Sequence, residues 1–275
     1  VSPVPSGQPA SGLRASGSTA HTVVCDLDGV IWLADHRIAG SADAIARLRA
    51  SGRRVLFVTN NSSVPVGAVE AKLESFDIPA RGDVLTSAMA AARLVEPGKR
   101  AVVLGGPGIV EALEARGAVA LREGPADAVV VGFHRDFDYE RMRVAAAAIR
   151  GGAVLIGTND DATYPTPDGP IPGGGAILAA VATGAATVPV VAGKPYQPMA
   201  DLVRDEVGDV PLLMVGDRPD TDGLFAVRLR CQFALVLSGI VAPDADLSTI
   251  EPRPDIVAAD LADLAEKILG GAGSR

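Results

Sequence analysis

Seven side chains in this sequence could act together as one chemical site. They are Asp26 and Asp28 in "VVCDLDGV", Thr59 and Asn60 in "FVTNNS", Lys194 in "AGKPY", and Asp217 and Asp222 in "MVGDRPDTD". Asp26, Asp28 and Asp217 are hard oxygen donors of the kind Mg²⁺ prefers, a cation that takes one or two carboxylates and keeps several waters. A cation also explains how like charges can converge, since without it their repulsion would raise a pKa. One carboxylate can then attack phosphorus and form an aspartyl phosphate that water later hydrolyses. Asp28, two residues on, is placed to protonate a leaving alkoxide and afterwards to deprotonate the attacking water. Thr59 offers a hydroxyl and Asn60 a backbone N–H to phosphate oxygens, and Lys194 a fixed positive charge. Amides and a lysine are enough to bind phosphate; the paired carboxylates of "DLDG" are what add turnover. Standing alone, "DxDG" is more often a solvated turn, so the elements around it decide.

Each of these residues lies at or near the end of an apolar run. "TVVCDL" (residues 22–27) and "RVLFVT" (54–59) read as strands, and "VPLLMVGD" (210–217) as another. Between them, "SADAIARLRASG" reads as a helix with Ser41 as its N-cap and Gly52 just past its end. "VGAVEAKLESFD" and "SAMAAARLVEPG" read as two more helices, and strand and helix patterns go on alternating to "FALVLSG". Continuous Val, Leu and Ile runs separated by helices predict parallel strands buried on both faces, hence an α/β, doubly wound fold. In such sheets ligands bind beyond the carboxyl ends of the strands, where the seven residues fall. Gly29 lets the chain turn sharply enough to bring Asp26 and Asp28 to one place.

Composition narrows the function classes. With 275 residues, 48% of them hydrophobic, the chain can bury a full core. A formal net charge of -8 argues against a nucleic-acid partner or a polybasic membrane contact. Two distant cysteines, Cys25 and Cys231, argue against a disulfide framework and fit a reducing, cytoplasmic setting. Residues 1–20 are Ser-, Pro-, Gly- and Ala-rich without an apolar h-region, and read as a flexible tail. The uncharged stretch 169–193 is too poor in Leu, Ile and Phe to insert in a membrane and reads as a small-residue helix followed by a buried strand. "VLGGPGIVEAL" (103–113) has the look of a dinucleotide loop, but Glu111 stands where the third glycine belongs. His134 reads as a partly exposed structural histidine rather than a substrate contact.

Taken in order, "DLDG", "VTNNS", "GKP" and "VGDRPDTD" resemble the haloacid dehalogenase (HAD) superfamily of phosphatases. "TNNSS", "GTNDD" and "GPIPGGGAILAA" resemble the capped branch that holds phosphoglycolate, glycerol 3-phosphate, pyridoxal phosphate and 4-nitrophenyl phosphatases. The likeness runs from about residue 21 onward, and four ordered motifs carry far more weight than any one. It implies a Rossmann-like core over 21–98 and 189–275, with an inserted α/β cap over 99–188. It implies Asp26 as nucleophile, Asp28 as general acid/base, Thr59 and Asn60 as phosphate holders, and Lys194 as the group that steadies the intermediate. Mg²⁺ would be held by Asp26, the backbone carbonyl of Asp28 and Asp217, with Asp222 orienting metal waters or Lys194. A small hairpin over residues 32–37 would form a flap, and the cap would exclude water and select the substrate. The substrate class implied is a small phosphorylated metabolite, with glycerol 3-phosphate first and 2-phosphoglycolate second. Pyridoxal phosphate or a nucleotide stand as alternatives, and relatives often dimerise through the cap. The chain departs from the family pattern at Gly223, at "RLRCQF" and at His134.

A receiver-like signalling domain also gathers Asp, Thr and Lys on a parallel sheet. Asp28 would shorten the life of its phosphoryl group, and a cap has no use where a kinase must dock. A catalytically dead scaffold is the remaining alternative, although every core motif position is intact.

Overall fold

The uninterrupted apolar runs build two parallel sheets, because strands without polar alternation need cover on both faces. The computed structural model describes residues 22–164, 166 and 169–270, so the tail expected over 1–20 lies outside the described residues. The chain begins with β1 (Thr22–Cys25), β2 (Trp32–Leu33), β3 (His36–Arg37), α1 (Ser41–Ala50), β4 (Arg54–Thr59), α2 (Val66–Glu74), β5 (Val84–Thr86) and α3 (Ser87–Ala92). It continues through β6 (Arg100–Leu104), α4 (Pro107–Ala115), β7 (Val119–Leu121), β8 (Ala128–Val131), α5 (Tyr139–Arg150) and β9 (Val154–Gly157). Then come β10 (Thr163–Tyr164), β11 (Ile171–Pro172), α6 (Gly174–Ala185) and β12 (Val190–Val191). It closes with α7 (Gln197–Val207), β13 (Leu212–Gly216), α8 (Leu224–Leu229), β14 (Gln232–Val236), β15 (Ile256–Ala258) and α9 (Leu261–Gly270).

The first sheet has the order β15-β14-β13-β1-β4-β5, and every pair in it is parallel. The second has the order β12-β9-β8-β6-β7, also parallel throughout. The fold is the α/β, doubly wound one. In the first sheet Val24, Leu56 and Met214 face one way, against Ala88, Met199 and Phe225 of α3, α7 and α8. Val23, Val55, Phe57 and Leu213 face the other way, against Ile45, Leu73 and Leu264 of α1, α2 and α9. Alternation along each strand thus feeds two cores. Full burial of a side chain such as Phe57 contributes roughly 1.5–3 kcal/mol.

Register places the chemistry. Cys25 lies opposite Phe57 of β4 and Val215 of β13, so all three strands end at the same edge. Asp26, Thr59 and Asp217 leave the sheet there together.

Two local expectations need correction. Ser41 is not the N-cap of α1: Gly40, at φ 77°, takes that position, and Ser41 turns inward, fully buried, its hydroxyl donating to Ile31 O at 3.4 Å. The strand expected to be buried after α6 is β12, the outermost strand of the second sheet, with Val190 45% exposed. It pairs in parallel with β9, Val190 opposite Ile156 and Val191 opposite Gly157. The glycines of "VLGGPG" serve packing, because a Cβ on Gly106 or Gly108 would meet Ser63 O at 2.0 Å or Val64 O at 2.2 Å. That backbone fills the space a dinucleotide would need, and Glu111 is committed too, accepting from Val66 N at 2.9 Å. Among the described residues, no helix is long and apolar enough to cross a membrane.

Candidate active site

Asp26 follows directly on β1 and is pinned by its own N–H, which donates to Val215 O at 2.9 Å. Its carboxylate meets Lys194, with Nζ 2.7 Å from Asp26 Oδ1 and 2.8 Å from Asp222 Oδ1. Asp26, Asp217 and Asp222 are all buried, and one oxygen from each lies within 4.8 Å of the others. Such convergence needs missing side chains nearby. A Cβ on Gly29 would stand 2.3 Å from Asp217 Oδ2, one on Gly239 2.0 Å from it, and one on Gly216 2.2 Å from Asp222 Oδ2. Gly29 also sits at φ 79°, where only glycine is at ease.

Lys194 is held by its backbone as well as its charge. Its N–H donates to Asn60 Oδ1 at 2.8 Å, and Asn60 Nδ2 donates back to Lys194 O at 3.1 Å. Thr59 is buried beside them, its Oγ1 accepting from Asn61 N at 3.0 Å. Asp28 points elsewhere: its Oδ1 accepts from the indole Nε1 of Trp32 at 3.0 Å. The Asp28 carboxylate is therefore outside the cluster of three acids. Trp32 belongs to the expected hairpin, β2–β3, which spans residues 32–37. Lys72 of α2 clamps that hairpin, its Nζ lying 4.4 Å from the Trp32 ring and donating to Ala34 O at 2.8 Å.

Burial dominates the electrostatics. It raises Asp217 to about 8, with Asp222 and Asp26 adding repulsion. It raises Asp222 to about 6 even against the pull of Lys194. Burial raises Asp26 and Asp28 as well, opposed at Asp26 by Lys194 and at Asp28 by the Trp32 hydrogen bond. At Lys194 burial works against the ammonium, but Asp222 and Asp26 outweigh it and hold the group above the ordinary lysine range.

When all three are ionised, three carboxylates face one ammonium, leaving two negative charges unmatched. Asp217 Oδ1 is buried without a hydrogen-bond partner, while Oδ2 accepts from Ile240 N at 2.8 Å. An orphaned carboxylate oxygen among hard donors, with two charges to neutralise, fits a divalent cation such as Mg²⁺.

The fit has a pH signature. Carboxyl groups with raised pKa favour the protonated form in the folded chain, so the metal-free protein loses stability as pH rises from about 4 to about 8. A cation binds the charged form and offsets that loss. The gain in melting temperature on replacing EDTA with Mg²⁺ should therefore be larger at about pH 8 than at about pH 5. A gain equal at both would remove these acids from the metal site.

The cluster opens into a cavity of about 290 Å³. Its far wall comes from the second sheet's loops, with Phe133, Asn159, Asp161 and Tyr164 reaching over the strand ends. The rings of Phe133 and Tyr164 stack with centroids 5.0 Å apart. Arg218 lies between the two units, its Nη1 3.2 Å from Asp161 Oδ1. None of Phe133, Asp161, Tyr164 and Arg218 was assigned a role from the sequence. Asp161 and Arg218 did stand inside quoted motifs, "GTNDD" and "VGDRPDTD". His134 is buried rather than partly exposed: Nδ1 lies 2.9 Å from Gly132 O, and the ring meets Phe137 edge-on, outside the cavity wall. Gly223, a departure from the family pattern, is explained by Pro252, whose Cγ would lie 2.9 Å from a Cβ there.

Comparison with known proteins agrees with this geometry. Residues 23–119 match a family model described as haloacid dehalogenase-like hydrolase, and residues 191–264 match a second HAD-like hydrolase model. The chain is similar to a glycerol-3-phosphate phosphatase of Gallus gallus, 35% identical over 257 residues that cover 82% of each chain. It is similar to a chloroplastic phosphoglycolate phosphatase of Arabidopsis thaliana, 34% identical over 82% of this chain and 70% of that one. Among solved structures, a glycerol phosphate phosphatase of Mycobacterium tuberculosis in complex with magnesium superposes with a TM-score of 0.82 at 33% identity. That match covers 90% of this chain and 76% of the other. With its motif residues gathered at one sheet edge and relatives matched over most of their length, the chain belongs to the haloacid dehalogenase-like hydrolases.

Proposed function

We propose that this hydrolase is a Mg²⁺-dependent phosphomonoesterase that works through a phospho-Asp26 intermediate on a small phosphorylated metabolite. The observation that carries the reading is the position of Asp26. It is the buried acid at the end of the central strand, paired with Lys194, beside a second acid that is held apart from the cluster by Trp32. Asp26 attacks phosphorus, and the bond from phosphorus to the ester oxygen breaks. Asp28, its pKa raised by burial, gives its proton to the leaving alkoxide. Water then attacks the phosphorus of phospho-Asp26, Asp28 takes the water's proton, and inorganic phosphate leaves with Asp26 restored. Lys194 balances the charge of Asp26 and of the bound phosphate, and Thr59 and Asn60 hold its oxygens. Magnesium, when bound by Asp26, Asp217 and the Asp28 carbonyl, supplies positive charge against the phosphate.

Glycerol 3-phosphate is the favoured substrate and 2-phosphoglycolate the next, in line with the names of the relatives. The receiver-like alternative is weaker, since walls from the second unit shield the cavity from a docking protein. The test is phosphate release from a panel of metabolite esters with Mg²⁺ and with EDTA. Steady, multiple-turnover release that EDTA abolishes is expected. A single equivalent of bound phosphate per chain, or turnover indifferent to EDTA, would overturn the reading.

A further inference from the structure

Both cations that line the cavity among the described residues are already matched by carboxylates. Lys194 lies between Asp26 and Asp222. Arg218 is met by Asp161 at 3.2 Å and by Asp220 at 3.4 Å. Asp161 follows β9 in the second unit, yet the first unit grips it twice. Asn60 Nδ2 donates to its Oδ2 at 3.1 Å, and Arg218 Nη1 donates to its Oδ1. Its side chain is 19% exposed and faces the cavity, so its charge reaches whatever organic group a phosphate ester carries there. Nearby lie Asn61, Asn159 and Thr163, neutral groups able to give and accept hydrogen bonds. Lys72, the next amine, is engaged by Ala34 and the Trp32 ring.

A carboxylate entering this space would be desolvated with no unmatched cation among the described cavity-lining residues to receive it, and would lie near the negative charge of Asp161. A hydroxyl there could instead donate to Asp161, a charge-assisted bond stronger than a neutral one. We propose that Asp161 is a specificity-determining residue that occupies Arg218 and so directs the site to phosphate esters of neutral polyols or sugars, against esters whose leaving group bears a carboxylate. This rests on the phosphomonoesterase reading and deepens it.

The test compares kcat/KM of the full-length Mg²⁺-loaded protein on glycerol 3-phosphate, 2-phosphoglycolate and 4-nitrophenyl phosphate. The native protein should favour glycerol 3-phosphate over 2-phosphoglycolate by at least about tenfold. Asp161→Asn removes the repelling charge and leaves Arg218 with Asp220 as its one carboxylate partner, so this ratio should fall by about tenfold or more, with a lower KM for 2-phosphoglycolate. Misfolding would depress both esters alike and leave the ratio unmoved. Arg218→Gln is the second variant: it leaves Asp161 without a cation, held by Asn60 instead, so the ratio should rise. A native preference for 2-phosphoglycolate, or ratios unmoved in both variants while 4-nitrophenyl phosphate is turned over, overturns the Asp161 assignment alone. Failure of all three esters to release phosphate would remove the phosphatase reading and this inference with it.

Discussion

Asp26→Asn should give a folded protein whose phosphate release falls by about 10⁴-fold or more. The amide is nearly the same size as the carboxylate, and the backbone anchor to Val215 O is untouched. What disappears is the anionic oxygen that must form the bond to phosphorus, and no neighbour can substitute for it. Asp222 is tied to Lys194 and to the backbone N–H of Arg218, and Asp217 Oδ2 to Ile240. Stability should hold or improve, because burial already disfavours the charged form of Asp26 and Lys194 keeps its second partner. Phosphate release and a thermal melt in EDTA check the two halves separately. Turnover within tenfold of the native rate would remove Asp26 as nucleophile.

Lys194→Met should be costly in both respects. The side chain is buried between two acids, and its loss leaves three carboxylates with no positive group among them. Removing one member of a buried ion pair typically destabilises by about 3–5 kcal/mol. Turnover should fall by about 10³-fold, since nothing then balances Asp26 as phosphate approaches. Because the acids repel each other more strongly, Mg²⁺ should restore a larger part of this variant's stability than it adds to the native protein. Urea unfolding with and without Mg²⁺ measures both quantities. A loss below about 1 kcal/mol in EDTA would show that the acids are neutral in the native cluster and need no lysine.

The motif residues were readable because each lies at or near the end of a long apolar strand, and parallel strands deliver their ends to one edge. β1, β4 and β13 announce themselves by uninterrupted Val and Leu, so Asp26, Thr59 and Asp217 could be placed together before any coordinates. Shorter strands were harder: β5, three residues "VLT" set directly against α3, escaped notice, and β12, two residues long, was expected as a strand but placed in the interior. The cap of α1 was misread because Ser and Gly both serve at that position; a left-handed φ at Gly40, invisible in sequence, made the choice. Asp161 is the more instructive omission. Its partners Asn60 and Arg218 lie 101 and 57 positions away, on different elements of the other unit. No local pattern encodes such a meeting, which arises only when the second sheet is laid over the first. The same holds for Phe133 and Tyr164, whose stacking depends on two separate loops. The catalytic edge is thus written along the chain, and the wall facing it is written between chain segments.

Trp32 is the only tryptophan in the chain, and its indole N–H is bonded to Asp28. The tryptophan emission of this chain therefore originates within hydrogen-bonding distance of Asp28, the carboxylate proposed above as acid/base. The fold has placed its one strong fluorophore where a proton would be exchanged. With Lys72 over the other side of the ring, this indole senses charge on two flanks, and light absorbed there carries information about the site without any added label.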